Sequence, residues 1–466
     1  MYFRFFKVSL AATGFVAALI STSAVADLTV NQPIVLSKDT VWSGKVSVIQ
    51  AVKVPKKVTL RVMPGAVVRF GDKAGLTVEG ILKAEGNKSA PVTFTSKDKS
   101  PVAGCWPGIS FSESKKVSVL KRCVISYAAS VSIASCSPEI KNCTITQGGQ
   151  GIVIARKAKP VISGNTIRDI AGSGINCQLG AFPSITGNTI EKCGKNGIVS
   201  SQNAEPLIKN NTITGCDTGI SVQAAQIIEG NVIKDNKCGL FASIVGTVFT
   251  IEGNRFIDNI TGAVCQQYTS PIFEKNELTG NKEGLVCFRA SSPTVKNNDF
   301  YKNKKAILCI QISHPTITAN DIHDNDKGIY LHLSSYALIN GNNIWNNKIQ
   351  VELGNMSSDW ERRVKHKPTR GRQAQNINMA SRAKAVPQKL NDGAKIMGSV
   401  DASGNWWGAD VTREMDGKGP QANIKSFIDG YDRPTRTYKG YSGVYLEDRI
   451  DYSGWKETKI KNAGIN

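Results

Sequence analysis

Three histidines lie close together in the sequence, at His314, His323 and His332. Neutral imidazole is a common metal ligand, so their spacing raises a metal centre as one hypothesis. Asp324 and Asp326 raise a second, because glycoside hydrolysis uses two carboxylates at a set separation. Both signals are weak. The sequence repeat described below places His323 just past an inward position and His332 on an outward strand position, so the histidines need not converge. Asp324 and Asp326 are alternate residues of a turn, which is weak evidence for a catalytic pair. The sequence therefore predicts no catalytic, cofactor-binding or metal-binding residue.

Other chemistries leave no signature in the chain. A polysaccharide lyase with this kind of repeat would need several carboxylates converging on a cation, together with a base. The outward strand positions between residues 241 and 330 supply no such carboxylates. The hydrolase-type strings NTD, GHG and RIK, the epimerase-type string DPHD, and G-x-S-x-G are all absent. The interpretation leans away from an enzyme for this reason.

The sequence repeats with a period of 20 to 23 residues. The repeated feature is an Asn followed two residues later by an aliphatic or aromatic residue, and prolines keep the same phase ahead of it. A period of this length with turn residues at fixed phase is typical of stacked supersecondary units. The Asn positions are 142, 165, 188, 211, 231, 254, 276, 298, 320 and 342.

Each repeat holds short β-type runs such as NTI, GISV and PLIK, separated by Asn, Gly and Asp. There is no room for a helix, and the leucine-rich pattern L-x-x-L-x-L is absent. The predicted fold is all-β, a single-stranded right-handed parallel β-helix in which each coil advances by about 4.8 Å. The phased Asn side chains are expected to form a hydrogen-bonded ladder.

The phase also assigns faces, because side chains alternate along a strand. Cys265, Cys287 and Cys309 fall in an inward column and are expected to be a buried stack of reduced thiols, since stacked Cβ atoms lie wider apart than a disulfide prefers. If disulfides form, the better candidates are Cys123 with Cys143 and Cys193 with Cys216, which also lie on neighbouring coils.

An outward column between the inward ones is apolar over several coils, which is larger than a scatter of surface side chains. Two interpretations remain open. The aromatic C-terminal tail, with Phe427, Tyr431, Tyr438, Tyr441, Tyr445, Tyr452 and Trp455, covers this column, or the column is a docking face for a partner protein. The candidate docking face consists of Phe241, Val264, Val286, Phe288, Leu308, Ile310 and Tyr330.

The ends of the chain differ from the repeats. Residues 1–26 carry two cations, an apolar run at 8–20 and the small-residue string Ala24-Val25-Ala26, which predicts a secretory signal peptide. We expect a cap and opening coils over 27–121, regular coils over 122–353, a basic and mobile insertion over 354–400, and a final coil with a C-terminal cap over 401–466. Trp406 and Trp407 are expected to plug the end of the solenoid, with stacking on sugar rings as the alternative.

The positive charge points to an anionic partner. Without residues 1–26 the chain has 56 Lys or Arg and 37 Asp or Glu, a net charge of +19. Residues 362–389 hold nine of these cations and no acid. The candidate residues for binding an anionic ligand are Arg362, Arg363, Lys365, Lys367, Arg370, Arg372, Arg382 and Lys384.

The order VTLRVMPGAVVRFG, LTVEGILKAEG, APVTFTS, WPGISF, then Asn-x-Ile coils, then GNWWG, IDGYDRP and IDYSGW resembles a known group. These motifs are similar to those of exported bacterial right-handed β-helix repeat proteins of the pectin-lyase-like and NosD-like kind. The resemblance spans most of the chain after residue 26 except about 355–400. It implies the fold and export to the periplasm or beyond. It does not select among the lyases, hydrolases, epimerases, binding proteins and copper-enzyme maturation factors of that group.

Three functions are therefore carried forward. The first is an exported, non-catalytic scaffold that binds an anionic polysaccharide or envelope component. The second is a polysaccharide-modifying enzyme, and the third is a periplasmic accessory to metalloenzyme assembly. No cofactor, transmembrane span or nucleic-acid partner is expected.

Overall fold

The computed structural model describes residues 27–243, 249–365 and 398–465. The chain forms two compact units, Met1–Gln226 and Ile227–Asn466, which we call the N-terminal and C-terminal units. Both consist of parallel strands that stack coil upon coil into three sheets, and the predicted right-handed parallel β-helix is confirmed. No helix of the described residues is long and apolar enough to span a bilayer.

In the N-terminal unit each coil contributes one strand to each sheet in turn. The first sheet contains Leu28–Val30, Lys45–Val48, Val67–Phe70, Val92–Ser96, Cys123–Ser126, Thr144–Thr146, Thr166–Ile170, Thr189–Cys193 and Thr212–Thr214. The second contains Ile34–Val35, Val52–Val54, Gly75–Val78, Trp106–Ser112, Ala128–Ala134, Ile152–Ala155, Ile175–Cys177, Asn196–Ser200 and Thr218–Val222. The third contains Thr40–Trp42, Thr59–Val62, Ile81–Glu85, Val119–Lys121, Glu139–Lys141, Val161–Ser163, Ser184–Thr186 and Leu207–Lys209.

The C-terminal unit follows the same order. Its first sheet contains Val232–Lys234, Arg255–Ile257, Glu277–Thr279, Asp299–Tyr301, Asp321–His323 and Asn343–Trp345. Its second contains Cys238–Ser243, Thr261–Gln266, Glu283–Phe288, Lys305–Ile310, Lys327–His332, Ile349–Gly354 and Phe427–Ile428. Its third contains Ile227–Glu229, Thr250–Glu252, Ile272–Glu274, Thr294–Lys296, Thr316–Thr318 and Leu338–Asn340.

The C-terminal end of this unit carries the described helices. Helix α1 spans Ser358–Lys365 and helix α2 spans Ala409–Lys418. Two short strand pairs accompany them, Ser399–Asp401 with Arg449–Asp451 and Thr435–Arg436 with Tyr445–Leu446. Trp407 is fully buried and its ring meets Phe427 edge-on, whereas Trp406 is partly exposed beside Trp345. Trp407 therefore fills the last coil as expected.

The expected Asn ladder occurs in each unit. In the C-terminal unit Asn298 is fully buried, accepts from Asn276 Nδ2 at 3.0 Å and donates to Asn320 Oδ1 at 2.9 Å. Asn405 continues the ladder, because Asn342 Nδ2 donates to its Oδ1 at 2.9 Å. The ladder amides also satisfy buried backbone groups, since the Asn276 N–H donates to Asn298 Oδ1 and Asn298 Nδ2 donates to Phe273 O, both at 2.9 Å.

The predicted ladder position of one residue, Asn142, is wrong. Asn142 has φ of +54° and lies in the turn, level with Gly164. Cys143 occupies the ladder position instead, and its N–H donates to Asn165 Oδ1 at 2.9 Å. Coil length also varies more than expected near the start. Val68 pairs with Phe94 and Phe94 pairs with Ile125, which makes coils of 26 and 31 residues.

The cysteine columns are in the expected places. Cys265, Cys287 and Cys309 are register neighbours, fully buried and free. The Cys123 N–H donates to Cys143 Sγ at 3.4 Å, so these two residues contact each other as free thiols. Cys193 is likewise a free thiol, and its hydrogen bond to the Cys216 thiol raises the pKa of Cys193.

Candidate functional site

The positive charge of the chain is concentrated in two places. Residues 27–226 contain 24 Lys or Arg and 12 Asp or Glu, a net charge of +12. Residues 227–466 without the stretch 362–389 contain 23 Lys or Arg and 25 Asp or Glu. The N-terminal unit is therefore strongly basic, while the rest of the chain outside 362–389 is nearly neutral.

Part of this charge lies along one edge of the N-terminal unit, where strands of the second sheet end and the chain turns toward the third. Three of these turns carry exposed cations. We call the set the cationic edge, and it consists of Lys56, Lys57, Lys115, Lys116, Arg156, Lys157 and Lys159.

Hydrogen bonds show that these turns stack directly. The turn after Val54 meets the next turn through the Gly80 N–H to Val54 O bond at 3.0 Å. Ser114 Oγ then donates to Gly80 O at 2.7 Å. The Lys159 N–H donates to Ser137 Oγ at 3.3 Å. The three cationic turns therefore alternate with two turns that carry no cation, and successive cationic turns are two strand spacings, about 10 Å, apart.

Two acids lie in these turns, and each is paired to a lysine. Lys53 Nζ lies 2.7 Å from Glu79 Oε1, and Lys56 Nζ lies 3.1 Å from Glu113 Oε2. The other six members of the cationic edge form no ion pair within residues 27–243, 249–365 and 398–465. Lys159 Nζ lies 5.7 Å from the ring centroid of the half-buried Phe182 on the following turn. The edge thus combines a row of cations with one aromatic ring.

Most of the predicted anion-binding residues in 362–389 cannot be placed. Lys367, Arg370, Arg372, Arg382 and Lys384 lie outside the described residues. Arg362, Arg363 and the backbone of Lys365 belong to helix α1. Arg363 Nη2 lies 2.8 Å from Asp359 Oδ2, and its guanidinium lies 5.4 Å from the Tyr445 ring centroid.

The candidate docking face is one register column with two side chains beside it. Val264, Val286, Leu308 and Tyr330 are in-register neighbours, and Phe288 pairs with Ile310. Phe241 heads the column and is partly exposed, but Val286 and Leu308 are only 8% and 4% exposed. These two side chains are buried although they belong to an outward column, so the middle of the candidate docking face offers little accessible surface.

The tail reaches the last coil of this column. Arg433 Nη2 donates to Leu353 O at 3.0 Å and lies 3.6 Å from Glu352 Oε1. Burial, and then the charge of Glu352, raise the pKa of Tyr330, and the nearby positive charges, of which Lys327 is the largest influence, only partly offset this. Lys305 and Lys327 also approach the Tyr330 ring, at 5.3 and 5.4 Å from its centroid.

His332 lies in this cationic surrounding. Asn355 Nδ2 is 3.4 Å from His332 Nε2, and His332 Nδ1 is buried without a hydrogen-bond partner among the described residues. Burial, and then the charges of Arg436 and Lys305, lower the pKa of His332. The imidazole is therefore neutral at neutral pH.

His323 and His314 do not join His332. His323 Nδ1 lies 2.7 Å from Asp324 Oδ2 and Nε2 lies 3.2 Å from Asp299 Oδ1, so both ring nitrogens are engaged by carboxylates. Its ring stacks between Tyr301 and Trp345, with centroids 5.5 and 4.8 Å away. His314 stacks on Tyr336 instead. Within the described residues no group of three metal-binding side chains occurs.

The neighbours of His323 give a testable pH dependence. Burial disfavours its charged form, but the hydrogen bonds to Asp299 and Asp324 outweigh burial and raise the pKa of His323. A raised pKa stabilises the fold below the unfolded-state pKa, and this contribution is lost as the pH rises through the folded-state pKa. His323→Gln is therefore expected to destabilise the protein more at about pH 5.5 than at about pH 8.5. Urea unfolding at both values measures the difference.

The control is His332→Gln, because the pKa of His332 is lowered rather than raised. A neutral replacement there removes a penalty that grows as the pH falls, so its pH dependence has the opposite sign. Equal pH dependence for both variants would contradict the assignment of His323 to the two carboxylates.

The comparison with protein families agrees with this architecture. The model of the right-handed β-helix region matches residues 107–248, 206–317 and 287–359, which together exceed half of the 466 residues. The chain belongs to the right-handed β-helix family. No curated protein matches it.

Two solved structures are similar to this chain at low identity. The periplasmic alginate epimerase AlgG is 12% identical, covering 70% of this chain and 77% of that one with a TM-score of 0.36. The alginate lyase from Paenibacillus sp. str. FPU-7 is 16% identical, covering 63% of this chain and 92% of that one with a TM-score of 0.21. These likenesses carry no information on the activity of this β-helix protein.

Sequence reasoning missed the cationic edge of this β-helix protein. The available signal was the cation dipeptides at 56–57, 115–116 and 156–157. Residues 27–121 lack the phased Asn, so their turns could not be aligned with the later ones from the sequence alone.

Proposed function

We propose that this chain is an exported β-helix protein that binds an anionic polysaccharide of the cell envelope along the cationic edge. The observation that carries the proposal is the stacking of three exposed cationic turns whose cations, Lys56 apart, are not neutralised by ion pairs in the described part of the chain. A linear polyanion lying across the coils meets positive charge repeatedly, and release of its counterions favours binding. The signal-peptide pattern at residues 1–26 supports export.

The ring of Phe182 adds a feature suited to sugars. It lies at one end of the cationic edge beside Lys159. An aromatic ring offers an apolar face with low conformational entropy, while the neighbouring ammonium group pairs with a carboxylate. A polyuronate, with a carboxylate on every sugar, fits both contacts.

Charge reversal of four edge residues tests the proposal. The variant Lys115→Glu, Lys116→Glu, Arg156→Glu, Lys157→Glu is expected to weaken binding to polygalacturonate by about tenfold or more. With four cations reversed, binding releases fewer counterions from the polymer. Titration calorimetry with the polymer at low salt measures the affinity.

The matched control changes lysines that are exposed but already paired. Lys275 and Lys348 lie 2.9 and 2.5 Å from Glu252 and Asp326 in the C-terminal unit. The control Lys275→Glu, Lys348→Glu is expected to leave binding within about twofold, because these cations are neutralised locally. The edge variant changes the net charge by −8 and the control by −4. A control loss about half that of the edge variant on a logarithmic scale would mean that net charge alone sets the affinity and that the cationic edge is not the site.

A polysaccharide-modifying activity is the second candidate, and His332 is the observation that favours it. The neutral His332 imidazole can accept a proton from a sugar whose carboxylate is bound by Lys305 or Arg436. The same incubations, assayed for new unsaturated or reducing ends, test this candidate. Ends produced by wild type and lost in His332→Gln would support it, and no ends with wild type would count against it.

A further inference from the structure

The first coil of the N-terminal unit presents an open sheet edge on three sides. Leu28–Val30, Ile34–Val35 and Thr40–Trp42 are the outermost strands of the three sheets. Each pairs on one side with the second coil, and no strand of the described residues pairs with the other side. The N–H groups of Ile34 and Leu36 donate to the second coil, so alternation turns the N–H and C=O of Val35 toward the open side.

The apolar core also ends at this open side. Leu28 is in register with the buried Val46, yet it is 40% exposed. Val35 and Val41 are 60% and 59% exposed, one on each of the other two edge strands. Val35 and Val41 are outward positions, and Trp42, at 2% exposed, closes part of the core. The first coil therefore leaves open a row of unpaired backbone groups flanked by apolar side chains, a surface that proteins normally cover or pair.

The shape of the edge restricts what pairs with it. A single added strand covers one of the three sides, whereas the end of a second β-solenoid offers edge strands on three sides around its own core. Residues 27–44 contain one cation, Lys38, and two acids, Asp27 and Asp39. Residues 45–226 contain 23 Lys or Arg and 10 Asp or Glu. The open end is therefore nearly neutral within a strongly basic unit, so two copies of it meet without strong repulsion.

The opposite end of the chain is covered. Phe427–Ile428 pairs with Ile349–Gly354, and Trp407 and Met415 are fully buried near it. Among the described residues the second sheet is thus closed at this end, so its edge at the open N-terminal end has no free counterpart there for head-to-tail growth. An isologous contact between two identical ends closes the assembly at two copies.

We propose that the exported chain forms a head-to-head dimer in which the first coils of two copies pair edge to edge. This inference shares with the proposed function only export with removal of residues 1–26, and it does not rest on polysaccharide binding. It rests on the backbone groups and apolar side chains of the first coil, and the test below contains no polysaccharide.

The test compares the mass of the protein with that of an edge variant. Val35→Pro removes an N–H that faces the open side, and Ile34 is already extended as a residue before proline must be. Sedimentation equilibrium of the chain that begins at Asp27 is expected to show a concentration-dependent dimer. Val35→Pro is expected to raise the dimer dissociation constant by about tenfold or more, because proline cannot donate a backbone hydrogen bond to the second copy.

A second variant protects the test against misfolding. Val35→Lys, Val41→Lys changes two outward, exposed side chains and is expected to give a folded monomer by circular dichroism and sedimentation. Val102→Lys is the control, because Val102 is 69% exposed elsewhere in the same unit, and it is expected to remain dimeric. If the wild type stays monomeric up to about 100 μM, the dimer dissociation constant is too high for a specific interface and the proposal is overturned. A dimer that survives both edge variants would overturn it equally.

Discussion

Asn298→Ala is expected to lower the free energy of unfolding by about 4 kcal/mol. It leaves several buried polar groups without a hydrogen-bond partner, at a cost of about 1–3 kcal/mol each. The Asn298 amide accepts from the N–H of Asn276 at 2.9 Å and donates to Phe273 O at 2.9 Å. Alanine leaves both groups buried without a partner and interrupts the ladder in the middle of the C-terminal unit. Urea unfolding followed by circular dichroism measures the loss.

Asn462→Ala is the matched control. Asn462 is exposed in the C-terminal tail, and its removal is expected to change stability by less than about 0.5 kcal/mol. A loss below about 1 kcal/mol for Asn298→Ala would contradict the ladder as a stabilising element, because it would be no larger than one ordinary hydrogen bond.

Trp407→Ala is expected to cost about 4 kcal/mol, the usual effect of emptying a large aromatic site in a core. Trp407 is fully buried where the last coil ends, and its ring meets Phe427 at a centroid distance of 4.8 Å. Its loss leaves a cavity at the closure of the solenoid. The same urea titration, followed by circular dichroism because tryptophan fluorescence changes with the substitution, measures it.

The neighbouring Trp406 provides the comparison. Its ring is partly exposed and lies 6.2 Å from that of Trp345. Trp406→Ala is expected to cost about 1 kcal/mol, the range of one aromatic pair. Equal costs for both tryptophans would contradict the assignment of Trp407 as the residue that closes the core.

The repeat made the fold predictable, because a fixed period translates directly into vertical neighbours. The phase placed Cys287 over Cys309 and Val286 over Leu308, and both pairs are in register. The same reasoning overlooked a second Asn, five residues after the first in several repeats. Asn303 is 2% exposed and donates to Asn325 Oδ1 at 3.0 Å, so a second buried ladder runs parallel to the first.

The candidate site was harder to predict for physical reasons. The partners of His323 include Asp299, which is 24 residues earlier and becomes a neighbour only after the coils stack. The cationic edge lies mainly on coils whose lengths reach 26 and 31 residues, so no constant period aligns Lys57, Lys115 and Arg156. The exposure of Val286 and Leu308 depends on side-chain packing along the column, which the alternation of faces does not specify.

The most direct test of the proposed function is the salt dependence of binding to polygalacturonate. The logarithm of the affinity is plotted against the logarithm of salt concentration for wild type and for the variant with four charge reversals at Lys115, Lys116, Arg156 and Lys157. We expect a steep negative slope for wild type and a clearly shallower one for the variant, because fewer counterions are released when the edge is lost. Parallel slopes for the two proteins, or no salt dependence in wild type, would contradict binding along the cationic edge.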